Sequence, residues 1–131
     1  MRILLAEDNF VTRKLMVAIL SQYGECDVAV DGMEAVDAFL MALEDGKPYD
    51  LICLDIMMPV MDGFQALVSI RNLEKERNIA EKQAVKVIVT TALRDEKHAK
   101  MAFELGCTLF SGKPIEQEKF EDELRKLNLI K

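Results

Sequence analysis

The chain has few of the residues that build metal knuckles or disulfide frameworks. Its 131 residues include three cysteines and one histidine. Cys26, Cys53 and Cys107 are widely separated and lie in or beside apolar runs, so their spacing suggests neither a zinc motif nor a set of disulfides. We expect them to be buried and reduced. His98 lies in a polar stretch with helical spacing, which favours an exposed surface position and argues against a role as a phosphate donor.

Long hydrophobic runs and an excess of positive charge are also missing. No apolar stretch approaches the roughly 18 residues that a membrane span needs, and the opening segment is too short before its first acids to be a signal peptide. Seventeen lysine and arginine residues stand against 23 aspartate and glutamate residues, which gives a formal net charge of −6. An acidic surface disfavours contact with phosphate backbones and anionic lipid. These absences predict a cytoplasmic protein that binds neither nucleic acid nor membranes directly.

Length and composition favour one folded domain over residues 1–131. A typical domain has roughly 100–200 residues. Half of the residues are apolar and 31% are charged, which is an ordinary globular balance. The chain contains no repeat and no low-complexity segment.

Short strand-like runs alternate with longer amphipathic stretches along the chain. The predicted strands cover residues 2–6, 26–30, 50–54, 85–90 and 107–111. The predicted helices cover residues 10–23, 33–43, 64–77, 95–105 and 117–127, with Asn9 as the first N-cap. Five strands joined by right-handed crossovers predict an α/β fold, a doubly wound parallel sheet with helices on both faces.

Acidic and basic side chains follow three of the predicted strands. Glu7 and Asp8 follow the first strand, Asp55 follows the third and Lys113 follows the fifth. The carboxyl ends of parallel strands meet at one rim, where such folds bind ligands. Acids this close repel each other by about 4 kcal/mol at 4 Å and an effective dielectric of 20, so they take up a proton or bind a cation. Oxygen ligands favour Mg²⁺ over Zn²⁺.

A divalent ion beside Asp55, together with the Lys113 amine and the Thr91 hydroxyl, would make a receptacle for a phosphoryl group. This arrangement suits in-line attack by a carboxylate oxygen on an activated phosphorus, which yields an acyl phosphate. Ala92, next to Thr91, would leave an opening above the carboxylate.

Five motifs together resemble the receiver domain of two-component response regulators, in particular the chemotaxis-type single-domain regulators. The resemblance covers nearly the whole chain and implies a flavodoxin-like fold with strand order 2-1-3-4-5. The motifs are Leu4-Leu5-Ala6-Glu7-Asp8-Asn9, Asp31-Gly32-Met33-Glu34-Ala35, the long run from Asp50 to Gly63, Val89-Thr90-Thr91-Ala92 and Lys113-Pro114.

The resemblance implies a role for each residue of the acidic rim. Asp55 would be the phosphoacceptor. Asp8 and Glu7 would bind Mg²⁺, the second through water, and Met57 would contribute only its backbone carbonyl. Lys113 would pair with the phosphoryl group.

The resemblance also implies a switch. Thr91 would close on the phosphoryl group, and Phe110 would then turn inward. The Lys113–Pro114 peptide bond would be cis. The donor would be a phosphohistidine on a sensor histidine kinase or a histidine phosphotransfer protein, and the output would be a shifted equilibrium of the face formed by helix 4, strand 5 and helix 5, which controls an unknown downstream protein.

Several positions depart from the family pattern. Phe110 stands where many members have tyrosine, so coupling would run through ring packing. Ser111 and Gly112 replace bulky aliphatic residues, which predicts a poorly packed, mobile edge strand. Met57 and Leu93 offer no polar group to position a water molecule, which predicts slow autodephosphorylation.

The charged stretch from Arg71 to Gln83 is longer than the family's usual connection. Residues 71–77 are nearly all charged with mixed signs, which predicts a solvated helix end. We assign no role to residues 71–83 from the sequence.

Other functions remain alternatives. An aspartyl phosphatase would need a second aspartate where Met57 stands. A flavin-binding electron carrier would need a phosphate loop after strand 1, where Glu7 and Asp8 repel phosphate. The chain could be a receiver module of a hybrid kinase or a larger regulator, or a pseudo-receiver that only docks partners. As a receiver it would promote its own phosphorylation and dephosphorylation without being a turnover enzyme.

Overall fold

A computed structural model describes residues 1–92 and 95–131 of the chain. Five strands alternate with five helices and one short 3-10 helix among the described residues. The elements in chain order are β1 Arg2–Ala6, α1 Phe10–Leu20, β2 Glu25–Ala29, α2 Gly32–Glu44, β3 Leu51–Asp55, α3 Gly63–Glu76, the 3-10 helix Glu81–Gln83, β4 Lys86–Thr91, α4 Glu96–Glu104, β5 Leu109–Gly112 and α5 Gln117–Lys126.

The five strands form one parallel sheet in the order β2-β1-β3-β4-β5. This confirms the predicted fold class and strand order. The order reverses between β1 and β3, which lie side by side with Ala6 paired to Leu54. The residues that follow β1 and β3 therefore emerge next to each other at the carboxyl rim of the sheet.

Two hydrophobic cores lie on opposite faces of the sheet. One core brings Phe39 of α2, Leu67 of α3 and Ala102 of α4 against the strands. The other brings Met16 of α1 and Phe120 of α5 against them. Successive side chains of a strand point to opposite faces, so the central strands β1 and β3 are buried almost throughout. These buried strands carry the rim residues.

Most predicted boundaries are correct to within a few residues. Helix α1 begins after the predicted cap, and the Asn9 side chain accepts a hydrogen bond from the Thr12 backbone. The helix ends at Leu20 and not at residue 23. Gly24 packs so closely against the start of the chain that a Cβ there would lie 2.0 Å from the Met1 carbonyl oxygen. Residues 21–23 form the turn that brings the chain from α1 to this position.

The prediction that the cysteines are buried is confirmed at two positions. All three are free thiols. Cys53 and Cys107 are buried, whereas Cys26 is half-buried because β2 is an edge strand.

The charged end of α3 is not uniformly solvated, and that prediction is wrong for two residues. Glu74 is only 4% exposed. Its carboxylate accepts hydrogen bonds from the Arg71 guanidinium at 2.7 Å and from the Val85 backbone at 2.8 Å. Arg71 also donates to the carbonyls of Val85 and Gly106. The pair satisfies backbone groups at the start of β4 and at the end of α4, which sequence spacing does not reveal.

No helix in the described ranges, 1–92 and 95–131, is long and apolar enough to cross a membrane.

Candidate functional site

Three carboxylates meet at the carboxyl rim of the sheet. Glu7 and Asp8 follow β1, and Asp55 is the last residue of β3. One carboxylate oxygen from each lies within 4.8 Å of the others. Glu7 and Asp55 are buried and Asp8 is exposed. The three acids predicted to converge are thus brought together because β1 and β3 are neighbours.

The buried position of Asp55 disfavours its ionised form. Burial, followed by the negative charge of Glu7, raises the pKa of Asp55 from 3.8 to about 7, and Lys113 opposes this rise. The Asp55 carboxyl therefore holds its proton more tightly than an ordinary aspartate does. The site combines three carboxylates with a single ammonium group, that of Lys113. A hard divalent ion prefers carboxylate oxygens as ligands, so these residues fit Mg²⁺.

Lys113 connects the acids to β5. Its Nζ lies 2.7 Å from Glu7 Oε1 and 3.3 Å from Asp55 Oδ1. Its backbone N–H donates to the Thr91 carbonyl at 2.8 Å, which fixes the residue relative to the end of β4. The Lys113–Pro114 peptide bond is cis, as predicted.

The loop from β1 to α1 is held by its own hydrogen bonds. The Asn9 backbone N–H donates to Glu7 Oε2 at 3.1 Å. The Arg13 guanidinium donates to the backbone carbonyls of Glu7 at 2.9 Å and Asp8 at 3.2 Å. Sequence reasoning missed Arg13. The available signal was a long cation one helical turn after an N-cap that follows two acids.

The loop from β3 to α3 turns back immediately below Asp55. The Gly63 N–H donates to the Ile56 carbonyl at 2.8 Å, and a Cβ on Gly63 would lie 2.2 Å from the Asp55 carbonyl oxygen. Asp62 and Gln65 form a capping box that starts α3. Met57, two residues after Asp55, is 61% exposed, and the use of its backbone carbonyl as a metal ligand stays a prediction.

Two buried threonines end β4. Thr90 pairs with Asp55 across the sheet, and Thr91 pairs with Gly112 of β5. Both are buried, with exposures of 1% and 0%. Phe110 of β5 is half-buried and packs against the core that α2, α3 and α4 cover. Ala92 is exposed, and Leu93 lies outside the described residues.

Ser111 of the edge strand β5 is more buried than the sequence predicts, whereas the other three residues of this strand are half-buried. Ser111 is 4% exposed, and its hydroxyl donates to Glu123 of α5 at 2.9 Å. Burial raises the pKa of Glu123, and the Ser111 hydrogen bond counters this rise. The expectation of poor packing at Ser111 is therefore wrong, because a buried acid on the facing helix takes the place of an aliphatic contact.

His98 is also less exposed than expected. Its ring stacks on Phe64 with centroids 6.2 Å apart, and Nδ1 lies 2.6 Å from Asp95. The side chain is 31% exposed. These contacts join the start of α4 to the start of α3, which the local polar sequence does not indicate.

Comparison with known proteins identifies the family. The model for the response regulator receiver domain matches residues 3–125. The chain belongs to the response regulator receiver domain family, whose members are signalling domains of two-component systems.

The relatives include both large kinases and small regulators. Hybrid signal transduction histidine kinase B of Dictyostelium discoideum is 36% identical over 134 residues, which cover 98% of this chain and 7% of that protein. The chain thus spans a small fraction of this relative. Chemotaxis protein CheY of Treponema pallidum is 35% identical over 120 residues, which cover 90% of this chain and 76% of that protein.

A solved structure has the same architecture. A chain in the complex of CheX and CheY with BeF₃ and Mg²⁺ from Borrelia burgdorferi superposes with a TM-score of 0.83. It is 27% identical, and the match covers 99% of this chain and 90% of that chain.

Proposed function

We propose that Asp55 accepts a phosphoryl group from a phosphohistidine and that the phosphorylated domain then changes the surface formed by α4, β5 and α5. One observation carries this proposal. A buried carboxylate at the end of the central strand has two further acids within 4.8 Å and an ammonium group 3.3 Å away. This combination provides a nucleophile, cation ligands and a fixed positive charge in one place.

The reaction needs little covalent machinery from the protein. A carboxylate oxygen of Asp55 attacks the phosphorus, and an O–P bond forms as the P–N bond to the donor imidazole breaks. The electron pair of that bond leaves with the imidazole nitrogen. The product is an acyl phosphate on Asp55. Phosphoryl transfer of this kind depends on positioning and charge neutralisation, and the Lys113 ammonium is placed to neutralise a phosphoryl oxygen.

Asp8 and Asp55 would hold Mg²⁺ directly, with the Met57 backbone carbonyl as a further ligand. When bound, Mg²⁺ neutralises charge on the transferred group. Glu7 would act through water, because its two carboxylate oxygens already face Lys113 and the Asn9 N–H. The related chemotaxis complex was solved with Mg²⁺ and BeF₃.

The signal would pass through Thr91 and Phe110. Thr91 ends β4 beside the site, and Phe110 lies on the neighbouring strand β5. A groove of about 580 Å³ between β5 and α5 is lined in part by Phe110, Ser111, Lys119 and Glu123. Contact of Thr91 with the phosphoryl group would favour an inward Phe110 ring, which alters this groove for a downstream protein.

The donor would be a sensor histidine kinase or a histidine phosphotransfer protein. We further propose that residues 1–131 act as one receiver domain in the cytoplasm and that this domain is a signalling element and not a turnover enzyme. The similarity to a hybrid histidine kinase and to a chemotaxis regulator supports a place in a phosphorelay.

Incubation with phosphoramidate and Mg²⁺ tests the proposed chemistry. Intact-protein mass spectrometry should record the gain of one phosphoryl group, and the gain should disappear in Asp55→Asn and in excess EDTA. Asp37→Asn, which removes an exposed carboxylate from α2, is the matched control and should gain the group normally. An undiminished gain in Asp55→Asn, or no gain in the unaltered protein, would reject the proposal.

A further inference from the structure

Arg13 contacts the backbone of both acids that precede α1. Its Nη1 donates to the Glu7 carbonyl at 2.9 Å and to the Asp8 carbonyl at 3.2 Å. We propose that Arg13 is a positioning residue for the divalent cation, because it fixes the loop that carries two of the three carboxylates. This inference rests on the proposed function of the site.

The two acids differ in how well the fold holds them. Glu7 is buried, and its carboxylate contacts Lys113 and the Asn9 N–H. Asp8 is exposed, so its orientation depends mainly on the backbone of the loop. A contact that fixes the Asp8 carbonyl limits the directions in which its side chain can project. Cation affinity rises when ligand groups are ordered before binding, because less conformational entropy is lost.

An arginine suits this task. The guanidinium is always charged, and its planar set of N–H groups can serve two acceptors at once. It also brings positive charge to a loop that bears two carboxylates. The Phe10 ring supports the side chain, since the Arg13 Cζ lies 5.6 Å from the ring centre. The Arg13 guanidinium therefore lies between the Phe10 ring and the loop that carries Glu7 and Asp8.

Lys14 provides a matched comparison. It is the next residue of α1 and is exposed. Its Nζ lies 5.7 Å from the centre of the same Phe10 ring. Lys14→Ala removes the same charge and a similar aromatic contact from the same helix, whereas Arg13→Ala also removes the two hydrogen bonds to the acids' carbonyls.

Isothermal titration with Mg²⁺ at a temperature far below the unfolding midpoint tests this proposal. Loss of the Arg13 hydrogen bonds should raise the Mg²⁺ dissociation constant about three- to tenfold, the range expected when one or two net hydrogen bonds are lost. The Mg²⁺ dissociation constant of Arg13→Lys should lie between those of Arg13→Ala and the unaltered protein. Lys14→Ala should stay within about twofold of the unaltered protein.

An unchanged dissociation constant in a folded Arg13→Ala protein would overturn the inference, as would an equal rise in Lys14→Ala. If Arg13→Ala does not fold, as judged by circular dichroism, then Arg13→Lys and Arg13→Gln decide the outcome. A protein that binds Mg²⁺ normally but gains no phosphoryl group from phosphoramidate would reject the proposed function alone, because the titration requires no phosphoryl transfer.

Discussion

Asp55 combines two properties that work against each other. Its burial at the end of β3 shields the carboxyl that we propose as the nucleophile from water, and the same burial with the nearby Glu7 makes ionisation costly, so the pKa of Asp55 rises to about 7. A carboxyl with a raised pKa binds its proton more tightly in the folded than in the unfolded protein. The contribution of the Asp55 carboxyl to the free energy of unfolding is therefore fully present at low pH and is lost as the pH rises.

An unfolded aspartate titrates near 3.9, so the metal-free protein should lose folding stability between about pH 4 and pH 7 relative to Asp55→Asn. The difference in unfolding free energy between the unaltered protein and Asp55→Asn should change by on the order of 2–4 kcal/mol across this window. Urea unfolding in EDTA at pH 4, 6 and 8 measures it. Asp37→Asn should not alter the pH profile, and a profile unchanged in Asp55→Asn would contradict the prediction.

At the scale of elements, the end of α3 is tied to β4 and α4 by two buried charged side chains. Glu74 accepts from Arg71 and from the Val85 backbone, and Arg71 reaches the Gly106 carbonyl. Local sequence indicates only a charged helix end. A charge removed from a buried pair leaves its partner uncompensated and backbone groups without their hydrogen bonds.

Glu74→Ala should therefore lower the free energy of unfolding by about 2–4 kcal/mol. Glu76→Ala, two residues further along the same helix and exposed, should change it by less than about 0.5 kcal/mol. Chemical unfolding followed by circular dichroism compares the two variants. Equal effects of the two substitutions would show that the buried network contributes little.

At the scale of the whole molecule, the site and the proposed output surface are joined across β4 and β5. Thr91 pairs with Gly112 in the sheet, and the Lys113 N–H donates to the Thr91 carbonyl. The neighbouring Thr90 is equally buried, and within residues 1–92 and 95–131 no hydrogen-bond partner of its hydroxyl is found. Only Thr91 is proposed to meet the phosphoryl group, so the two threonines make a matched pair.

Beryllofluoride with Mg²⁺, used as a phosphoryl mimic, should slow amide hydrogen exchange in β5 and at the start of α4 by about fivefold, which corresponds to a coupling of about 1 kcal/mol. Thr91→Val should bind the mimic and lose most of this response. Thr90→Val should respond like the unaltered protein. A full response in Thr91→Val would remove Thr91 from the proposed switch.

Much of the fold followed from local sequence patterns. Short apolar runs predicted the strands, and the acids that end them predicted a cation site at one rim, because parallel strands place their carboxyl ends together. Strand order and the cis Lys113–Pro114 bond followed from the family resemblance and are confirmed. These features depend on residues close together in the chain or on short, specific motifs.

Only the tertiary structure decided which polar groups are buried and paired. Glu74 meets Val85 from 11 residues away, Arg71 meets Gly106 across 35 residues, and Ser111 meets Glu123 across 12. The carbonyls that Arg13 contacts likewise become acceptors for it only once the loop has its final shape. Burial and hydrogen-bond partners depend on how helices cross the sheet, and sequence periodicity determines which face of a helix is apolar without determining which distant group it meets.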